Sequence, residues 1–403
     1  MKDIVFCADG TWNGMEVDND KDGVPDTTNV LKLFHLLRGE TTLESRRLKD
    51  ENEKILGDAA QPQLVGKYLH GVGDTGNPIK KVVGGAFGSG LIARIVRGYT
   101  FISRNYRPGD RITIVGFSRG AYTARALAGM ISSVGLLDPK EFVAGADAKS
   151  EEKEKKRVYG MGVSAWLRYR ENAKAKQKDL TLRQKLADLV ANVPLVAKTA
   201  PLPDTMVPAP IFAVAVWDTV GALGIPNLGK TAADADAYRF ADDLLSSNVA
   251  HGLHAVSFDE KRTSFAPTLW QKDARIQQYW FGGAHADVGG GYPASESGLS
   301  NIALKWMVDE LEKLGLPFKP FPEDWVMNPH QDNHEPWKEG LFSAVPPADR
   351  VWDGFFLVEH ASFSQRKTWI AAGRPAPLVV DGMAVAAAGS SGEGLLVSDR
   401  VAG

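Results

Sequence analysis

A serine between two glycines, in Gly116-Phe117-Ser118-Arg119-Gly120, is the first point in this sequence where residue types and spacing could do chemistry. The pattern is G-x-S-x-G, which lifts a serine hydroxyl onto a sharp strand-to-helix turn. Such a turn presses strand and helix together, so both flanking residues must lack Cβ. The flanks agree. Residues 111–115 are rich in β-branched side chains, and residues 121–131 are rich in Ala and Leu. The helix N-terminus would direct its partial positive charge at a developing oxyanion, with the backbone N–H of Arg119 as one donor. The chemistry this setting suits is nucleophilic attack on an acyl carbon.

A serine nucleophile needs a base within hydrogen-bond reach and an acid to fix that base's tautomer. Along an α/β-hydrolase chain the order is serine, then Asp or Glu, then His. Two later motifs fit. In the first, an apolar run over residues 211–217 ends at Asp218, where a buried carboxylate requires a cationic or hydrogen-bonding partner. In the second, Trp280-Phe281-Gly282-Gly283-Ala284-His285-Ala286-Asp287-Val288-Gly289-Gly290-Gly291-Tyr292 presents His285 within a glycine-dense loop. His360, at the end of another apolar run, competes with His285 for the role of base or lines the pocket. Asp9 and Asp287 are further candidates for the pocket or the base, and His70 is a weaker one. His251 and His254 are spaced for one helix face and read as packing rather than as a metal pair, because no third ligand stands near them.

Asp18-Asn19-Asp20-Lys21-Asp22-Gly23-Val24-Pro25-Asp26 alternates carboxylates with a turn glycine, as an oxygen-rich Ca²⁺ loop does. Asp18, Asp20, Asp22 and Asp26 are therefore candidate metal ligands. The competing reading is a polar surface turn, because the twelfth position falls on Asn29 and no helix precedes the loop. The catalysis outlined above requires no cofactor. Gly84, Gly85, Gly88 and Gly90 lack the lysine and spacing of a phosphate loop and read as a close-packed helix start.

The elements that must position these residues alternate. Buried strands are expected at residues 4–8, 112–115 and 211–217, a further strand at 276–281, and helices at 28–38, with Thr27 or Thr28 as N-cap, and at 121–131. Strands alternating with helices predict an α/β fold, a mostly parallel sheet with helices on both faces. Residues 139–208 interrupt it with a Lys-, Glu- and Ala-rich helical insertion, a solvated face or a cap over the site. The expected organisation is one hydrolase domain over residues 1–388 and a disordered tail over 389–403.

With 403 residues, 44% of them apolar, the chain can bury a sizeable core. A net charge of −2 gives no field to attract nucleic acid. The lone Cys7, inside an apolar run, is expected as a buried structural thiol in a protein folded under reducing conditions. The first residues are too short an apolar run for a signal peptide, and no run approaches the ~20 apolar residues that span a bilayer. The expectation is a protein cytoplasmic as synthesised, any export proceeding without a signal peptide.

Taken in order, Asp9-Gly10-Thr11-Trp12-Asn13, Gly-Phe-Ser-Arg-Gly-Ala, Val-Trp-Asp-Thr-Val-Gly and Gly-Ala-His-Ala-Asp-Val-Gly-Gly-Gly-Tyr form a combination more specific than any member. His254-Ala-Val-Ser-Phe-Asp259-Glu260-Lys261-Arg262 lies between the last two. Over about residues 3–370 the chain resembles the α/β-hydrolase domain of type VI secretion lipase effectors. The resemblance implies a Ser118–Asp218–His285 triad acting on phospholipid acyl esters. It places the residue 9–13 loop beside the nucleophile, where the N–H of Gly10 or Thr11 would complete the oxyanion hole. The partners it implies are a lipid or ester substrate, a membrane surface, and secretion machinery or an immunity protein. The charged insertion between Ser118 and Asp218 is longer than that family leads one to expect.

Overall fold

A strand that is apolar at every position can sit only where a sheet is covered on both faces. Strand β1 (Asp3–Ala8), apolar from Ile4 onward, does so, with all six residues buried. The computed structural model describes residues 1–10, 25–42, 51–71, 86–176, 198–221, 243–352 and 354–373. After β1 come helix α1 (Asn29–Leu36) and strands β2 (Glu40–Thr41), β3 (Glu51–Asp58) and β4 (Gln61–Leu69). Helix α2 (Ala86–Asn105) leads to β5 (Arg111–Phe117), α3 (Arg119–Val134) and α4 (Ala148–Lys176). Then follow β6 (Ile211–Trp217), β7 (Val249–Ser257), β8 (Ile276–Phe281), α5 (His285–Gly289), α6 (Gly298–Lys313), β9 (Val358–Glu359) and α7 (Ala361–Ala371).

Among the described residues these strands form one nine-stranded sheet in the order β2-β3-β4-β1-β5-β6-β7-β8-β9. From β4 to β9 every pairing is parallel, whereas β2, β3 and β4 form an antiparallel edge. The period-2 alternation of strand side chains splits the interior into two cores. Ile4, Phe6 and Ala8 pack with α2, α3 and α4 on one face. Val5 and Cys7 pack with α1 and α6 on the other. Burial, with Asp9 nearby, pushes the Cys7 thiol well above its usual pKa, which makes it an inert core residue. The fold is that of an α/β hydrolase, a mostly parallel sheet between helical layers.

Several boundaries move from the sequence expectation. Thr28 is the N-cap of α1, its hydroxyl accepting from Leu31, and the helix stops at Leu36. The β3–β4 hairpin and β7 were not anticipated. Because β7 is a strand, His251 and His254, three apart, project from opposite faces and share none. Within the 139–208 stretch, α4 buries Met161, Val163, Ala165 and Trp166 into the core shared with α2 and α3. Its charged run faces outward, with Lys155 and Lys156 each beside a glutamate four residues earlier. Residues 177–197 of that stretch and the 389–403 tail lie outside the described residues. No described helix is long and apolar enough to cross a membrane.

Candidate active site

The parallel strands β1, β5, β6, β7 and β8 all end at one edge of the sheet, and the residues with chemical potential collect there. Ser118 follows β5 directly and caps α3 with φ 58° and ψ −123°. Among the described non-glycine residues, only Ser118 and Asp218, at φ 33°, have positive φ. Each such backbone costs about 1–3 kcal/mol and persists only where its surroundings enforce it. The enforcement at Ser118 is steric. A Cβ on Gly116 would strike the backbone of Gly120 and Ala121, and one on Gly120 would strike the backbone of Ala8 and Asp9. The Ser118 N–H donates to the Trp217 carbonyl at 3.1 Å, and the Asp218 N–H to Ala255 at 2.7 Å, tying both turns to neighbouring strands.

Ser118 Oγ lies 2.7 Å from His285 Nε2, and His285 Nδ1 lies 2.5 Å from Asp218 Oδ2. All three side chains are buried. The imidazole is wedged between Phe117 at 4.6 Å and Phe265 at 4.9 Å between ring centroids. Burial pulls its pKa below the usual value, and the neighbouring Asp218 offsets only part of this. His285 is thus neutral near pH 7, with Nδ1–H donated to Asp218 and the Nε2 lone pair facing the serine hydroxyl. Burial alone would raise the Asp218 carboxyl, but Arg350 and the His285 hydrogen bond outweigh it and hold the group far below the usual carboxylate range.

Arg350 is the site residue that sequence reasoning missed. Its guanidinium donates to Asp218 Oδ1 at 2.7 Å and to Oδ2 at 2.9 Å. The Ser257 N–H adds a third bond to Oδ1 at 3.0 Å. The need for a cation was legible in the abrupt end of a buried strand at Asp218; which of the chain's arginines meets it was not. Glu260 and Arg262, within a segment already singled out, also reach the site. Glu260 Oε2 accepts the His285 backbone N–H at 3.2 Å and binds Arg262 at 2.7 Å, and the Arg262 head lies over the Phe265 ring.

The remaining candidates take other roles. His360 caps α7, its Nδ1 is engaged with Ser362 at 2.8 Å, and its ring stacks on Phe281. Burial lowers it to about 4. The bond to Ser118 therefore comes from His285 and not from His360. His254 accepts the Thr219 N–H and meets Gln278 at 2.9 Å, and burial, aided by Arg125, lowers it to about 3. His251 lies edge-on to Phe212. His70 follows β4, half-buried, one residue past the Leu69 carbonyl that accepts the Asp9 N–H. Asp287 does not face the serine. It caps α5 from within, accepting the Ala284 N–H, and is gripped by His334 at 2.6 Å.

The residue 9–10 turn lies against Gly120, yet its donors are occupied. Asp9 accepts from the Gly10 N–H at 2.6 Å, from Thr28 at 2.7 Å and from Tyr68 at 2.6 Å. Burial still raises its carboxyl to about 6. Gly10 thus spends on Asp9 the N–H expected for the oxyanion, and Thr11 lies outside the described residues. Arg119 holds the first position of α3, where backbone N–H groups have no acceptor within a helix. Of the four carboxylates proposed for Ca²⁺, Asp26 is buried, and Asp18, Asp20 and Asp22 lie outside the described residues. Among the described residues no cluster of three or more His, Cys, Asp or Glu side chains could hold a metal ion.

An uncharacterized protein from Saccharomyces cerevisiae, YEL023C, is 35% identical over 141 residues, which cover 34% of this chain and 18% of the yeast protein. A crystal structure of an uncharacterized protein from Pseudomonas aeruginosa aligns with a TM-score of 0.42 and 19% identity, over 82% of this chain and 49% of that one. The structure of the Tle1 effector bound to the VgrG spike from the type 6 secretion system aligns at 0.35 and 15% identity, over 74% of this chain and 52% of that one. The chain thus spans about half the length of the two solved chains, and far less of the yeast protein. The family model for the type VI secretion phospholipase effector Tle1-like catalytic domain matches residues 2–310, most of the 403-residue chain, and the chain belongs to that family.

Proposed function

We propose that this protein is a serine hydrolase that cleaves acyl esters of phospholipids. The observation that carries the reading is the buried relay of Ser118 Oγ, a neutral His285 and an ionised Asp218, at 2.7 and 2.5 Å, on two turns that are the positive-φ non-glycine positions among the described residues. Family membership supports the substrate class. In this reading Ser118 Oγ attacks the acyl carbon while His285 Nε2 takes its proton. Asp218 fixes the tautomer and stabilises the imidazolium, and the Arg119 N–H at the start of α3 meets the oxyanion. The imidazolium returns the proton to the leaving alcohol, and water repeats the sequence on the acyl-enzyme.

The family also supports export through a type VI secretion apparatus, with that machinery as a partner; an immunity protein is a further partner in this reading. The test of the enzymatic reading is release of fatty acid from phospholipid vesicles. Wild type releases it, and Ser118→Ala, folded and melting normally, loses about 10⁶-fold in rate. Equal release by the variant removes Ser118 from the reaction. Release from small soluble esters but not from vesicles keeps the chemistry and replaces the substrate class.

A further inference from the structure

The relay has a member that the three-residue description omits. Arg350 lies beyond residue 310, where the match to the family model ends. Four hydrogen bonds fix its guanidinium: two to the Asp218 oxygens, one to the Ser257 carbonyl at 2.7 Å and one to the Phe265 carbonyl at 2.7 Å. Its side chain is 3% exposed and that of Asp218 is 0%. The loop carrying it is pinned on both sides. The Ala348 N–H donates to the Lys261 carbonyl at 2.9 Å, and Trp352 stacks on Phe258 at 5.8 Å and meets Trp280 edge-on at 5.4 Å. A planar fork held this way can take up only one orientation toward a carboxylate.

We propose that Arg350 is a positioning residue of the proton relay: it locks the Asp218 carboxylate in the plane His285 needs and cancels much of the charge Asp218 would otherwise exert on the imidazole. The proposal rests on the hydrolase reading above. Its physical basis is the low-dielectric pocket, where an uncompensated carboxylate beside an imidazole strongly favours the imidazolium. The charged groups around His285 are Asp218, Arg262 and Glu260. Glu260 and Arg262 pair with each other, and His254, beyond Asp218, is neutral at working pH. Arg350 is thus the cation that offsets the Asp218 charge at its source, through direct pairing. With it in place, the imidazole stays neutral and ready to accept a proton below the usual histidine range. Without it, Asp218 stabilises the imidazolium, and the base is lost at a higher pH.

Two substitutions separate charge from geometry. Arg350→Met removes both, so kcat/KM falls about 100-fold, KM changes little, and the acid limb of the pH profile moves up by about one pH unit. Arg350→Lys keeps the charge but not the fork; kcat falls about tenfold and the acid limb stays at the wild-type position. Guanidinium ion added to Arg350→Met restores part of the rate. A second readout needs no turnover. In the Ser118→Ala background, NMR titration of the His285 ring gives its pKa with Arg350 present or replaced, and Arg350→Met raises it.

An unmoved acid limb and an unmoved ring pKa in Arg350→Met overturn the proposal. So does wild-type kcat in Arg350→Lys, which decides the matter if the methionine variant does not fold. If wild type hydrolyses no ester and yet the ring pKa rises in Arg350→Met, the role of Arg350 stands and the hydrolase reading falls.

Discussion

The two halves of the relay are positioned by different physics. Ser118 is placed by the local shape of the backbone. Its turn is enforced by two glycines within two residues of it and by the carbonyls of strands on either side. His285 and Asp218 are placed by charges and hydrogen bonds that converge from across the chain: Ser257, Glu260, Phe265 and Arg350 all touch one or the other. A site built this way tolerates change in opposite ways on its two sides. Steric intrusion breaks the serine side, whereas loss of a single charge breaks the base side.

Beyond loss of the nucleophile itself, the largest predicted effect is on the base side. Asp218→Asn lowers kcat/KM about 10⁴-fold through the wrong imidazole tautomer. It also lowers the melting temperature, because Arg350 is left buried without its anion. Steady-state kinetics and a thermal melt check the two parts. On the serine side, Gly120→Ala costs about 3 kcal/mol of stability by driving a methyl group into the Ala8–Asp9 backbone. Urea titration with an unchanged m-value measures it. Ser118→Gly separates strain from chemistry: it removes the hydroxyl but suits φ 58°, so it is more stable than Ser118→Ala by about 1–2 kcal/mol and melts higher. Equal melting of the two would mean that the backbone at Ser118 is unstrained.

Smaller effects come from titration. Because burial lowers the His285 pKa, the acid limb of kcat/KM lies below the ordinary histidine value of about 6.5, and activity is lost as pH falls through it. A pH–rate profile with its acid limb above 7 contradicts this. The smallest effect is on stability, at the brace behind the His285 helix. His334 presents Nδ1 to Asp287 at 2.6 Å and Nε2 to Glu296 at 2.9 Å, so both ring nitrogens must donate and the ring is charged. Burial opposes that charge, but the two carboxylates outweigh it and raise the His334 pKa. Its stabilisation is therefore full below the unfolded value near 6.5 and fades as pH rises through the raised one. His334→Gln flattens that slope of melting temperature against pH.

The contrast also explains what was legible in the sequence. β1, β5 and β6 announced themselves because strands buried on both faces must be largely apolar, and β8 because its half-buried run ends in aromatics before a glycine pair. The pentapeptide around Ser118 was legible because its geometry is local. His285 and Asp218 stood out because glycines and an abrupt acid mark strand ends, although the sequence left His360 as a rival until the fold placed it on Phe281. The β3–β4 hairpin hid behind charged, half-exposed residues, and β7 behind histidines spaced as if on a helix. Arg350 had no local signature at all. It stands 132 residues from Asp218, in a loop with no periodicity, and only the folded chain brings them together. The Gly10 N–H shows the converse: its motif promised an oxyanion donor, and a carboxylate one residue earlier claims it.

The most direct measurement of the central claim is covalent labelling of the folded protein with a fluorophosphonate, followed by peptide mass spectrometry. The account predicts a single adduct on Ser118 in wild type, abolished in Ser118→Ala and strongly slowed in His285→Ala. Wild type that reacts at another residue, or does not react at all, would contradict it.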